Sequence, residues 1–550
     1  MLRWACLTAR RYSQKSGYFQ PNSINKELIL SVLNSTATKR EAQTYLKKYG
    51  ESSIRNHCLL MVRELVTQTP EKLDRFAITV KRMQMLGVKP IFMLYPYQDV
   101  ERQAEMLESC LNNNGVRSII LPDALTRLVD GNYRSLVEYG AFCGLVPIIR
   151  PRIFDQKTCI SSTATDIPEL MGNFTAQTDC RIDKVVLLSP SGGISSGERH
   201  DNAHVFINLS QEFDRLTRSL TEDVESTRLR LVQGIESPAD TLAPVSSLDK
   251  LQKTMKRYQE HLEDLQIVNR VLTRLPSTST GLITDLSAAS NLTRNNPLLY
   301  NVLTDRSLIS SSLPRFKKSP TTNLSWYETV DGTNCDGESK DAALSTTVVK
   351  KGVNIKIYDY QTLTEHNSIG FPGAKPQDEN SDAIAKVDLT KLKLIIEKSF
   401  GRELDLEHYL DRINGRIASI IVIGDYGGIA ILTYEGPEEE TFPYLDKFAV
   451  LPHLKGSLGI SDVIFNLMFQ KYPHELVWRS RKDNLVNKWY FQRSVGVLDL
   501  AIDLGNGDLQ PSMFKLFFHG DDDHQRFFSN KDRLKTYAKY VRDIRPSWKG

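Results

Sequence analysis

The sequence predicts an α/β protein of two folded units, the first on a mostly parallel sheet covered by helices, the second on a smaller and largely antiparallel sheet. Three observations carry this. A chain of 550 residues exceeds one ordinary core of about 100–200 residues. Hydrophobic residues at 40% and charged residues at 25% are ordinary globular values, which excludes wholesale disorder and fibrous repeats. From Leu28 to about Arg199, strand-like apolar runs alternate with amphipathic helical ones, and a different order of elements begins after residue 382.

The start of the chain is a basic leader. Arg3, Arg10, Arg11, Lys15 and Lys26 precede the first acid, Glu27, and removing those five charges from the formal +4 leaves −1. The folded part is therefore not a basic nucleic-acid surface. Residues 1–20, Arg-bearing, hydroxyl-containing and acid-free, read as a mitochondrial transit peptide that would direct the protein to the matrix; the alternative is a basic disordered tail. The longest apolar stretches, Tyr139 to Ile149 and Ser419 to Tyr434, are short or broken by Gly and Asp, below the roughly 18 residues that span a bilayer. Seven scattered cysteines without a C-x-x-C pair suggest free thiols, not a disulfide framework or zinc site.

The βαβ rhythm runs through HCLLMVREL, an amphipathic stretch from Glu71 to Leu86, VKPIFML, SIIL, LVPIIRP and KVVLLS. The last strand opens into SPSGGIS, Ser189 to Ser195, a Gly-rich loop that is either a ligand turn or simply a tight turn. Leu, Glu, Lys and Arg at three-to-four spacing between Gln211 and Arg274 predict one or two surface-packed helices. The polar stretch 307–341 reads as an insertion, and STTVVKKGVNIKIYDY as a hairpin about Gly352. This first unit is assigned to residues 24–365, a linker to 366–381 and the second unit to 382–549.

In the second unit the pattern predicts a helix from Lys391 to Ser399, a strand pair joined by GDYGG, and the strand YLDKFAVL. A helix from Ile460 to Tyr472, the strand ELVWRSR, a short helix near Trp489 and a last strand FKLFFHG follow. The joint from Lys447 to Tyr472 is a strand, a Gly-bearing loop and a helix start, where backbone N–H groups converge and a pyrophosphate fits electrostatically. Cations gather nearby: Arg402, Lys447, and Arg479 with Arg481, which strand alternation sends to one face. Such a set suits a substrate with more than one carboxylate, or is solvated surface charge. Tyr490, in the run WYF, is either a core tyrosine or the proton donor to a leaving group. No serine-hydrolase, zinc-protease or P-loop sequence is present, and the histidines are unclustered, so no metal site is assigned.

The segments SFGREL, AILTYE, YLDKFAV, WRSRKDN and NKWYFQRS, in this order, resemble the acetyltransferase domain of N-acetylglutamate synthases. With LILSVLNSTATKREAQTYLKKY near the start, nearly all of the chain after the leader is similar to the fungal mitochondrial form. The resemblance implies an amino-acid-kinase-like domain, a parallel-rich sheet with helices on both faces, followed by a GNAT-type domain that acetylates L-glutamate from acetyl-CoA, the first step of arginine synthesis. It implies substrate-binding roles for Arg402, where the family commonly has Lys, Lys447, Arg479, Ser480, Arg481, Lys482, Asp483 and Asn484, and acetyl-CoA contacts at Val450, Lys455, Gly456, Ser457 and Gly459. The Val450 N–H would meet the thioester oxygen and Tyr490 would protonate the CoA thiolate. Arginine as effector, a homo-oligomer and a complex with N-acetylglutamate kinase are implied as well. The usual Q/R-x-x-G-x-G/A loop is replaced by LKGSLG with Leu458, and the first unit lacks a Lys-x-Gly-Gly motif, so no kinase activity is expected there. The rival reading is a non-catalytic arginine sensor acting on a partner enzyme, which Leu458 favours and the cationic set opposes.

Overall fold

The computed structural model describes residues 57–96, 99–121, 125–127, 133–135, 145–177, 181–196, 203–236, 245–292, 296–308, 345–359, 387–454, 459–484, 486–501, 511–520 and 531–549. The leader, the linker and nearly all of the polar insertion lie outside them. The described chain divides into two compact units, one ending at Gly352 and the other beginning at Val353.

The first unit contains β1 (His57–Val62), α1 (Pro70–Met85), β2 (Lys89–Leu94), α2 (Val100–Asn113), β3 (Ser118–Leu121), β4 (Leu125–Arg127) and β5 (Tyr133–Ser135). Next come β6 (Val146–Ile149), β7 (Arg152–Asp155), β8 (Ile160–Thr163), α3 (Ile167–Gln177), β9 (Ile182–Leu188) and β10 (Phe206–Asn208). The helices α4 (Leu209–Glu236) and α5 (Val245–Arg274) precede β11 (Thr280–Thr284), α6 (Leu286–Ala289), α7 (Pro297–Thr304) and β12 (Thr347–Lys350). Eight strands pair in the order β10-β12-β11-β9-β1-β2-β6-β3, all parallel except β11 with β12.

The central strands are continuous apolar runs because both faces are covered. In β1, Cys58, Leu60 and Val62 pack with Phe76 of α1 and Leu107 of α2, whereas Leu59 and Met61 pack on the other face with Phe174 of α3 and Val268 of α5. Helix α5, read as surface-packed, is thus a core helix along one stripe: Leu265, Val268, Val271 and Leu272 are fully buried. The loop after β9 is a tight turn in which the N–H groups of both glycines are already bonded. Gly192 N–H bonds to Ser189 O at 3.0 Å, Gly193 N–H to Ser345 O at 2.6 Å, and the Ser191 hydroxyl bonds to Glu260 of α5.

The second unit contains β13 (Ile355–Tyr358), α8 (Leu389–Phe400), α9 (Leu406–Ile413), β14 (Ile417–Ile423), β15 (Gly428–Glu435) and β16 (Phe442–Val450). Then follow α10 (Ile460–Lys471), β17 (Leu476–Arg481), α11 (Asn487–Arg493), β18 (Gly496–Asp499), β19 (Phe514–His519) and α12 (Lys531–Asp543). The seven-stranded order is β13-β14-β15-β16-β17-β19-β18, antiparallel throughout except for β16 beside β17. The expected hairpin about Gly352 does not form: β12 joins the first sheet between β10 and β11, while β13 pairs with β14 in the second. The strand 355–358, expected in the first unit, therefore belongs to the second.

Local chemistry fixes the helices below this sheet. Asp388 and Asp405 cap α8 and α9 by accepting the N–H of Lys391 at 3.0 Å and of His408 at 3.2 Å, and Gly401 ends α8 in the left-handed region. One sheet face packs on α8 and α9 through Ile395, Ile396 and Tyr409 and on α12 through Tyr537 and Val541. The opposite face packs on α10 through Ile464, Phe465 and Met468 and on α11 through Tyr490. The sequence showed α10, whose Val463 and Leu467 flank that buried stripe, but not α9, α12 or β18.

Candidate active site

The two parallel strands at the centre of the second sheet stay together for only two residue pairs, Tyr444 with Val477 and Leu445 with Trp478. Beyond them β16 runs on to Val450 and β17 to Arg481 without pairing to each other. A break in register starts this divergence. On β15, Leu432 faces Leu445 and Ile431 faces Lys447, so Asp446 is an extra residue, a β-bulge. In an even strand neighbouring side chains point to opposite faces. Here Asp446 and Lys447 share one, and the Lys447 ammonium reaches its neighbour's carboxylate at 2.9 Å.

That carboxylate is the hub of a buried polar cluster. It also accepts from the Tyr409 hydroxyl at 2.9 Å and from the Arg412 guanidinium, both on α9. Arg412 reaches on to Glu435 at 3.3 Å, which accepts from Thr433 at 2.8 Å and from Arg416 at 3.3 Å. Burial opposes the charge on Asp446, but Lys447 and Arg412 outweigh it and hold the carboxyl below the usual range. Burial holds the Lys447 amine below the usual lysine range despite Asp446, and its ammonium lies 4.7 Å from the Tyr409 ring centre. Sequence reasoning found Lys447 but none of its partners; the adjacent Asp-Lys in YLDKFAV was the visible trace, meaningless until the bulge turns both to one side.

Arg479 lies on the same face and lowers the Lys447 pKa through its charge. Its guanidinium donates to the carbonyls of Val541 at 2.6 Å and Ile544 at 2.8 Å, at the end of α12, so it anchors that helix. Arg481 is exposed and forms a fork with Asp483 at 2.9 and 2.8 Å, and exposed Arg402 is near enough to help depress the Asp483 pKa. Lys482 pairs with Asp499 at 2.8 Å, and Asn484 donates to the buried Ser480 hydroxyl at 2.9 Å. The structure thus brings Lys447 and Arg479 together, and Arg402 beside the Arg481–Asp483 turn.

On the other face, Tyr490 sits among Phe465, Trp478 and Phe517, with ring centres 5.5–5.9 Å apart. Burial alone pushes its pKa above the ordinary tyrosine value. Nearby, Arg493 of α11 stacks 3.7 Å over Trp489 and pairs with Asp462, in the first turn of α10, at 2.9 Å. Gly459 precedes α10 at φ 64°, a left-handed start with open space around it. Lys455, Gly456, Ser457 and Leu458 lie outside the described residues. At the end of β16, Leu451 N–H bonds to Gly427 O at 3.0 Å. By antiparallel alternation the Val450 N–H therefore turns to the opposite edge, the one β17 has left. Among the described residues no cluster of His, Cys, Asp and Glu is suited to a metal, and no helix is long and apolar enough to cross a membrane.

The second unit is an N-acetyltransferase domain: the family model described as "NAT, N-acetyltransferase, of N-acetylglutamate synthase" matches residues 377–545. Full-length relatives are equally specific. The mitochondrial amino-acid acetyltransferases of Kluyveromyces lactis and Eremothecium gossypii are 49% and 48% identical, over 96% and 98% of this chain and 97% and 99% of theirs. That of Saccharomyces cerevisiae is 47% identical over 98% of both. The chain belongs to this amino-acid acetyltransferase family and is an acetyl-CoA-using enzyme. A solved aspartate kinase from Synechocystis aligns over 87% of this chain and 86% of its own at 8% identity and a TM-score of 0.28, a level that carries no structural argument.

Proposed function

We propose that the protein is an N-acetylglutamate synthase of the mitochondrial matrix, moving acetyl from acetyl-CoA to the amine of L-glutamate to give N-acetyl-L-glutamate and CoA for arginine synthesis. The observation that carries this is the gap between β16 and β17, with cations on one face and Tyr490 with the start of α10 on the other. Glutamate's carboxylates suit the side of Lys447, Arg479, Arg481 and Arg402, and acetyl-CoA the side of Gly459 and Tyr490.

Transfer is direct. The neutral amine attacks the thioester carbon, the carbonyl oxygen takes up negative charge and is met by the Val450 N–H, and the C–S bond then breaks. Tyr490 donates its proton to the departing thiolate, and the amine's proton leaves to solvent. Like any tyrosine, Tyr490 carries its hydroxyl proton at neutral pH, as a donor must, and burial raises its pKa further.

The first unit is read as a regulatory and assembly module responding to arginine, in a homo-oligomer that associates with N-acetylglutamate kinase. Among its described residues, Arg63 at the end of β1 pairs with Glu263 at 3.0 Å and Asp264 at 2.7 Å of α5, and in the loop after β9 the N–H groups of Gly192 and Gly193 are already bonded. The test is thiol release from acetyl-CoA by the purified chain with glutamate, aspartate or glutamine, with and without arginine. Release with glutamate alone is expected, suppressed by arginine. No release from folded protein would overturn the enzymatic reading in favour of a sensor.

A further inference from the structure

We infer that Asp446, the bulge residue of β16, is the positioning residue for the amino-acid substrate: it fixes the Lys447 ammonium at the gap so that this cation, and not a mobile lysine, receives a substrate carboxylate. The inference rests on the glutamate-binding reading of Lys447 and extends it to a residue that substrate does not touch. The Asp446 side chain is 3% exposed and that of Lys447 13%. The carboxylate is thus sealed in while the ammonium retains some access.

The bulge is what makes the pair possible, since a regular strand would send residues 446 and 447 to opposite faces. Three donors then fill the carboxylate: Lys447, Tyr409 and Arg412. The charges that act on Lys447 are Asp446 on its own strand, Arg412 on α9 and Arg479 on β17, and the rings of Tyr409 and Trp548 lie 4.7 and 5.8 Å from its ammonium. Beyond Arg412 lies Glu435 of β15. Two of the neighbours are cations and burial disfavours a third, so Asp446 is the group that keeps Lys447 charged in place. A cation held there with its counter-charge behind it can offer its remaining donors forward to a carboxylate.

The test compares the full chain with Asp446→Asn, Tyr409→Phe and Lys447→Met, measuring CoA release while glutamate, acetyl-CoA and pH are varied. Asp446→Asn is isosteric; it removes the charge and turns one of the two acceptor oxygens into a donor. It is expected to raise the glutamate KM roughly tenfold with the acetyl-CoA KM unchanged. The rise should grow as pH increases, because a Lys447 without its partner loses its proton at lower pH. Tyr409→Phe removes one hydrogen bond to Asp446 and should shift the glutamate KM the same way by about threefold. Should Asp446→Asn not fold, Tyr409→Phe decides. An unchanged glutamate KM, an equal rise in both KM values, or an unaltered pH profile overturns the positioning role. If Lys447→Met also leaves the glutamate KM unchanged, the binding reading beneath it has failed; if Lys447→Met raises it and the other two variants do not, only the role of Asp446 is lost.

Discussion

The sequence offers Tyr490 and Arg479 as site residues on different grounds, and the structure places them on opposite faces of the sheet. Tyr490 packs among the rings of Phe465, Trp478 and Phe517, and Tyr490→Phe keeps those contacts. Turnover should fall about a hundredfold with both KM values and the melting temperature nearly unchanged; unchanged turnover would remove it from the chemistry. Arg479 has a structural task as well. Arg479→Ala strips two carbonyls at the end of α12 of a charged donor, and the expected loss is about 2 kcal/mol of stability, with a raised glutamate KM. Arg481→Ala, at an exposed fork, should change the glutamate KM without moving the melting temperature, and thermal unfolding of the two variants side by side checks the contrast. Alternation showed that residues 479 and 481 share a face. What Arg479 holds was hidden because its partners lie 62 and 65 residues further on.

At the level of elements, the legible parts were those with a strong local period or stop signal: β1, β2, β9, α10 and the strand pair β14–β15. The hairpin about Gly352 was misread because two β-branched runs and a glycine specify strands and a turn, whereas the partners they choose depend on sheet edges far away in sequence. The bulge was invisible for the same reason, since a register shift exists only between strands. At the joint of β16 and α10 a local rule does hold. Gly459 has φ 64° and nothing within 4 Å of where a Cβ would stand. Gly459→Val should therefore cost only its backbone strain, about 1–2 kcal/mol, seen as a several-fold rise in the acetyl-CoA KM with the glutamate KM unmoved. Equal changes in both would detach this joint from acetyl-CoA.

For the whole molecule, the placement of β13 sets where the second unit can be cut. A fragment beginning at 382 lacks β13 and leaves β14, whose seven residues are all buried, as a bare edge. It should aggregate, whereas a fragment from 353 should remain monodisperse in size-exclusion chromatography. The sequence showed two units and their order, but drew their boundary by composition, and composition does not register which sheet a four-residue strand completes. The gap between β16 and β17 has a consequence for kinetic order. If the amino acid is held from one face of the sheet and the thioester from the other, neither obstructs the other's doorway, and no acetyl group need be parked on the protein between visits. Initial-velocity lines at fixed levels of one substrate should then intersect; a parallel family would mean that the enzyme gives up CoA before the amino acid arrives.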